Sequence, residues 1–158
     1  MDKALTQLTL FITNPVLIAC IFSWLSAQLI KTLIKLFSGK VSSLSELFEL
    51  LFWRTGSMPS SHSALVSCLA TTIGFRCGVD SEIFILSLGF FLITIRDAVG
   101  VRRASGIQAK VLNKIGHLLA QKGIIEFKPI KEVQGHTPAE VFIGCVLGFF
   151  IGLAFCVL

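Results

Sequence analysis

The sequence predicts an all-α protein: a polytopic bundle of membrane helices, about four spans plus short interfacial amphipathic helices, forming a single domain over residues 1–158. Three observations carry this. Hydrophobic residues make up 54% of the chain and charged residues only 15%, against about 25% charged in an ordinary soluble domain. Mean hydropathy is +0.83. Apolar runs near the length of about 20 residues that crosses a bilayer recur along the chain, separated by polar, capping and breaking residues.

The first expected span is Pro15 to Phe37, "PVLIACIFSWLSAQLIKTLIKLF". The apolar run begins after Asp2 and extends well past the core of a cleavable signal peptide, so none is expected. Next comes "SSLSELFELLFW", a short amphipathic helix opened by a capping box of Ser43 and Glu46, too short to span and expected at the interface. The second span covers roughly His62 to Gly78, and the third roughly Glu82 to Val101. Ala104 to Gly123 differs: Ile107, Val111, Leu112, Ile115, Leu118 and Leu119 recur at helical spacing, with Lys110, Asn113, Lys114 and Gln121 on the other face. This predicts an interfacial or protein-packed amphipathic helix rather than a span, with Gly123 as its C-terminal cap. The fourth span, about Pro138 to Leu158, is the most uniformly apolar.

Charge orients these spans. With four of them, the 38–61 and 102–137 loops share one side of the membrane. That side holds Lys40, Arg54, Arg102, Arg103, Lys110, Lys114, Lys122, Lys128 and Lys131, whereas only Lys3 and Arg76 of the 14 basic residues fall opposite. Basic residues favour the cytoplasmic side, which predicts a cytoplasmic (inner) membrane protein with both loops inside and both termini outside. The five cysteines (Cys20, Cys68, Cys77, Cys145, Cys156) lie in or beside apolar segments without CxxC or Cys/His spacing, so they read as small buried hydrophobes. No metal, cofactor or nucleic acid is expected.

Two histidines stand out. His62 follows Pro59-Ser60-Ser61 at the start of the second span, and His136 sits in "QGHTPAEV" just before the last. The topology brings both to one membrane face, each at a helix N-terminus where unbonded N–H groups and the helix dipole favour an anion. Among many cations, such a pair suits a phosphate group. Each feature also has a plain structural reading. "SSHS" is a good helix cap, and Thr137-Pro138-Ala139-Glu140 is a good capping box with proline at the first helical position.

"GSMPSSHSALV", "DAVGVRRASGIQAKVLN" and "GHTPAEVFIGCVLG" resemble the three blocks of the divergent type-2 phosphatidic acid phosphatase family. That family is related to membrane lipid phosphatases, bacterial acid phosphatases and vanadium-dependent haloperoxidases. With the preceding span, the resemblance covers nearly the whole chain. In the wider superfamily a Pro-Ser-Gly-His block supplies a general acid histidine. A later block, Ser-Arg, five residues, His, three residues, Asp, supplies the nucleophile and its orienting carboxylate. Pro59-Ser60-Ser61-His62 matches the first block with Ser61 for glycine, and His136 with Glu140 matches the end of the second with glutamate for aspartate. Ile130 stands six residues before His136, so the Ser-Arg half is missing, and the superfamily's Lys-x6-Arg-Pro block has no match.

The resemblance implies a metal-independent phosphatase acting on a lipid phosphate or diphosphate of isoprenoid or phosphatidate type. In it His136 is the nucleophile, Glu140 its orienting partner and His62 the acid. Arg102 and Arg103 in "GVRR" are the best replacement cations, because guanidinium forks bind phosphate bidentately. Their plain reading is positive-inside anchoring. Lys31 shares a helical face with Gln28 and Lys35 and lies deep enough to reach a phosphate, while Lys35 snorkels. N–H groups near Ser60 and Ser61 complete the phosphate-binding set, and Asp97 is expected to orient an arginine. His117 is given no role. The alternative function is a lipid-phosphate binder or carrier that kept the fold and lost the chemistry. Gly144, Gly148 and Gly152 form a doubled GxxxG, which permits internal packing or a homodimer.

Overall fold

The structure, a computed structural model, describes residues 2–39, 58–132 and 135–158. The expected helix with its Ser43–Glu46 capping box, and the loop cations Lys40 and Arg54, lie outside the described residues. Among the described residues, six α-helices follow in order: α1 (Asp2–Ile12), α2 (Pro15–Phe37), α3 (Ser61–Cys77), α4 (Glu82–Arg96), α5 (Arg102–Gln121) and α6 (Pro138–Val157). A π-helical turn, Asp97–Val101, joins α4 to α5. Among the described residues, Pro15–Phe37, Glu82–Gln121 and Pro138–Val157 are long and apolar enough to cross a membrane.

Local chemistry sets the helix boundaries. Asn14 caps α2 by accepting from the Val16 N–H at 2.9 Å, and Pro15 takes the first helical position, where it has no hydrogen bond to lose. That proline and its cap divide α1 from α2, a division beyond the first expected span. Gly78, at φ 88°, ends α3 in a conformation that other residues adopt only with strain. Ser81 caps α4 after a tight connection, accepting from Phe84 N–H at 3.3 Å.

α3 is the central helix, packed against α2, α4 and most extensively α6. Its 17 residues reach about 26 Å, and it carries Ser63, Ser67 and Thr72 where the outer helices carry leucine and phenylalanine. Neighbouring helices shield these hydroxyls from lipid. Thr72 Oγ1 donates to Cys68 O at 2.8 Å, and Ser67 Oγ donates across to Cys145 O of α6 at 2.8 Å. The second expected span is therefore an inner helix.

α3 and α6 run parallel in close contact, and glycine makes this possible. A Cβ on Gly144, Gly148 or Gly152 would meet the carbonyl oxygens of Ser60, Ala64 or Cys68 respectively, four residues apart on each helix. The face that the sequence offered for a homodimer is thus filled within the chain by α3.

The amphipathic helix expected after the third span is present as α5, but it is joined to α4 without a break. The chain stays helical from Glu82 through Gln121, 40 residues or about 60 Å, roughly twice the hydrocarbon thickness of a bilayer. "DAVGVRR" contains no proline, and no side chain makes a capping hydrogen bond there (the Asp97 carboxylate is taken by Arg102), so the helix continues through the π turn. Beyond Gly123 (φ 69°) the chain returns along α5. Asn113 holds it, donating to Ile130 O and accepting from Ile130 N–H, both at 2.8 Å. Gly116 leaves room for the Phe127 ring, which meets His117 edge-on with centroids 5.3 Å apart.

Candidate functional site

The N-termini of α3 and α6 meet the π turn at one end of the bundle. Ser60 caps α3, its Oγ accepting from the Ser63 N–H at 3.4 Å, and its own N–H donates to Glu140 O at 3.0 Å. That bond ties the start of α3 to the first turn of α6. It brings His62 and His136, far apart in sequence, to one cavity of about 30 Å³ lined by His62, Thr94, Asp97, Ala98, Arg102 and His136.

His136 is delivered by the returning segment. Gly135 lies so close to the Arg102–Arg103 backbone that any side chain there would collide with it. The His136 ring is 5% exposed, and its Nδ1 lies 3.1 Å from Glu140 Oε2. The same carboxylate oxygen accepts the Thr137 N–H at 3.0 Å, while Thr137 Oγ1 accepts from Glu140 N–H at 3.4 Å. Capping and ring orientation, the two roles the sequence left open for Glu140, are carried by one oxygen. His136 Nε2 has no hydrogen-bond partner among the described residues.

Arg102 projects from the first turn beyond the π segment, and its Nε donates to Asp97 Oδ2. Both side chains stay substantially exposed, at 50% and 36%, and both line the cavity. His62 stands at the exposed rim. The cavity thus has two imidazoles and the paired Arg102 guanidinium and Asp97 carboxylate on its walls, with Thr94, whose hydroxyl donates to Phe90 O at 2.8 Å, and Ala98. It is tight, with room for one or two waters.

The other residues put forward from the sequence sit differently. Lys31 is 2% exposed and lies behind the cavity, donating to Gln28 Oε1 and Ser61 Oγ, each at 3.1 Å. It braces the residue before His62 and does not line the site. The Ser60 N–H, expected as an anion donor, is engaged by Glu140, whereas the Ser61 and His62 N–H groups have no hydrogen bond among the described residues. Arg103 does not line the cavity; its backbone lies under Gly135. Thr94 and Ala98 were not found from sequence, because nothing in an apolar helix marks which turn will face a histidine from another span. Among the described residues, no group of three or more His, Cys, Asp or Glu is placed to hold a metal ion.

Comparison with known proteins follows the same outline. A family model described as "Divergent PAP2 family" matches residues 12–151. The uncharacterized membrane protein YuiD of Bacillus subtilis (strain 168) is 35% identical over 161 residues, covering 90% of this chain and 94% of its own length. No solved structure matches. Helices able to cross a bilayer and a relative named as a membrane protein together identify an integral membrane protein.

Proposed function

The chain belongs to the divergent PAP2 family, and from that premise we propose that it is a metal-independent phosphatase hydrolysing a lipid phosphate or diphosphate through a phosphohistidine. The observation that carries this reading is the His136–Glu140 pair at 3.1 Å, aimed into a cavity whose other walls hold His62 and Arg102.

Each group has a chemical task. Glu140 holds the proton of His136 on Nδ1, so Nε2 attacks phosphorus while the bond to the leaving oxygen breaks. His62, on the exposed rim, gives that oxygen its proton and then takes one from the water that cleaves the phosphohistidine. Arg102, steadied by Asp97, stabilises charge on the non-bridging oxygens, joined by the N–H groups of Ser61 and His62. Arg102 supplies a cation to a site that lacks the superfamily's Ser-Arg and Lys-x6-Arg-Pro blocks. Lys31 adds positive charge behind Ser61. By the charge distribution of the loops, the site faces the cytoplasm.

The narrow cavity with a single lining arginine favours a second reading, a lipid-phosphate binder or carrier. Phosphate release from a panel of lipid phosphates by the purified protein, with and without chelator, separates the two. Hydrolysis that survives chelation and disappears in His136→Ala, with lipid-phosphate binding retained, supports the enzyme. Binding without any phosphate release by the wild-type protein supports the carrier.

A further inference from the structure

A second cavity, of about 580 Å³, lies between α3, α4 and α6 within the apolar part of the bundle. Thr71 and Gly74 of α3, Phe84, Leu88 and Phe91 of α4, and Phe149 of α6 contribute to its walls. Its volume falls in the range of small-molecule sites, about 300–1,000 Å³. Leu88 and Phe149 are partly open to the surrounding bilayer, at 39% and 44% exposure.

Its position relates it to the polar site. Phe91, at its upper end, is one turn from Thr94, which lines the polar cavity, about 4.5 Å along the helix axis. From there Leu88 and Phe84 descend in steps of about one turn, so the groove follows α4 for about 10 Å from Phe91. Phe75, Val79 and Phe84 line the far end. The Phe84 ring lies against α3 at Gly74, where an added Cβ would stand 2.9 Å from Phe84 Cε2. A groove that is apolar along its length, open sideways to lipid, adjacent to the polar cavity at one end and lined by aromatic rings at the other suits a single-chain amphiphile.

We propose that this groove is the tail subsite for the lipid whose phosphate occupies the His62–Arg102–His136 cavity, and that Phe84, seated on Gly74, sets the depth to which the tail descends. The proposal rests on the phosphate-binding reading of that cavity. The tail gains little from leaving the bilayer for an equally apolar groove. Selectivity therefore arises from fit and from the stop at Phe84, and affinity is anchored by the headgroup.

The test is photolabelling in nanodiscs with hexadecyl phosphate carrying a diazirine on its terminal carbon, with the labelled peptides mapped. Label is expected on the α3 and α4 stretches around Thr71 and Phe84, displaced by excess hexadecyl phosphate but not by hexadecanol. Leu88→Trp, which fills the groove halfway, should abolish label at its far end. Phe84→Ala should move label beyond the present stop and shift preference toward longer alkyl phosphates. Label scattered over the lipid-facing sides of α2 and α6, or displaced equally by hexadecanol, would overturn the subsite, as would labelling indifferent to both substitutions. Phosphate-dependent label in the groove without phosphate release would sustain the subsite while removing the enzyme reading. Phosphate release without groove label would do the reverse.

Discussion

Replacing Glu140 with glutamine isolates the orienting role of the carboxylate from its capping role, because one oxygen performs both. Oε2 accepts the Thr137 N–H at 3.0 Å and faces His136 Nδ1 at 3.1 Å. Glutamine keeps an acceptor oxygen at the same reach and serves in capping boxes. The folding cost is then mainly the charge lost at the N-terminus of α6, about 0.5 kcal/mol. Alanine removes the cap as well, costing about 1 kcal/mol. Turnover should respond on another scale. Without it, no carboxylate is hydrogen-bonded to the His136 imidazolium, and the amide NH₂ can turn toward Nδ1 and force the proton onto the attacking nitrogen. Comparable loss of an orienting carboxylate elsewhere costs up to about 10⁴-fold in turnover, so Glu140→Gln should lose about 10²- to 10⁴-fold, equivalent to about 2.7 to 5.4 kcal/mol of barrier. The assay pairs phosphate release from a lipid phosphate with denaturant unfolding in the same detergent. Wild-type turnover in Glu140→Gln, or turnover falling only as the folded fraction falls, would refute the orienting role and leave Glu140 a helix cap.

Three other expectations are open to measurement. His62→Ala should slow hydrolysis of alkyl phosphates by about 10²- to 10⁴-fold and nitrophenyl phosphate much less, since nitrophenolate leaves without a proton; equal losses on both would remove His62 as the acid. Arg102 lines the cavity and Arg103 does not, so Arg102→Ala should weaken lipid-phosphate turnover far more than Arg103→Ala, and Arg102→Lys should restore only part of it because lysine lacks the guanidinium fork; matching effects of the two alanine variants would contradict the geometry. Gly148→Ala drives a methyl into the Ala64 carbonyl, whereas Gly89→Ala meets nothing within 4 Å. The first should destabilise by about 1–3 kcal/mol and the second should be neutral or slightly stabilising, as read by unfolding in detergent.

Much of this architecture is legible in the sequence because its signals are local. Asn14-Pro15, Ser60, Ser81 and Thr137-Pro138 mark helix starts through side-chain chemistry within a few residues, and the structure has α2, α3, α4 and α6 beginning there. The histidine pair follows from topology alone, since each imidazole sits at the start of a helix entering from the same end. The failures involve relations between elements. A change from all-round apolar residues to an amphipathic stripe after Val101 looks like a break, yet no residue there stops the helix, and α4 and α5 stay continuous. Lys31 and Gln28 do share an inward face, but only the packing of α2 on α3 puts Ser61 between Lys31 and the cavity. Asn113 appears in sequence as one polar residue on a solvated face. Its amide instead fixes the segment that returns His136 to the bundle, through partners 17 residues away.

The shielding of α3 has a consequence for biogenesis. α3 is the least apolar of the four helices in the bundle, and the parallel helix that covers its glycine-matched face, α6, leaves the ribosome only after every other described element. Until α6 arrives, Ser60, Ala64 and Cys68 face an open furrow, and the Ser60 N–H has no Glu140 carbonyl to meet. The two histidines therefore come together only once α6 has been made. A nascent chain halted before α6 holds His62 but no cavity, so the polar site is completed only when the bundle itself is closed.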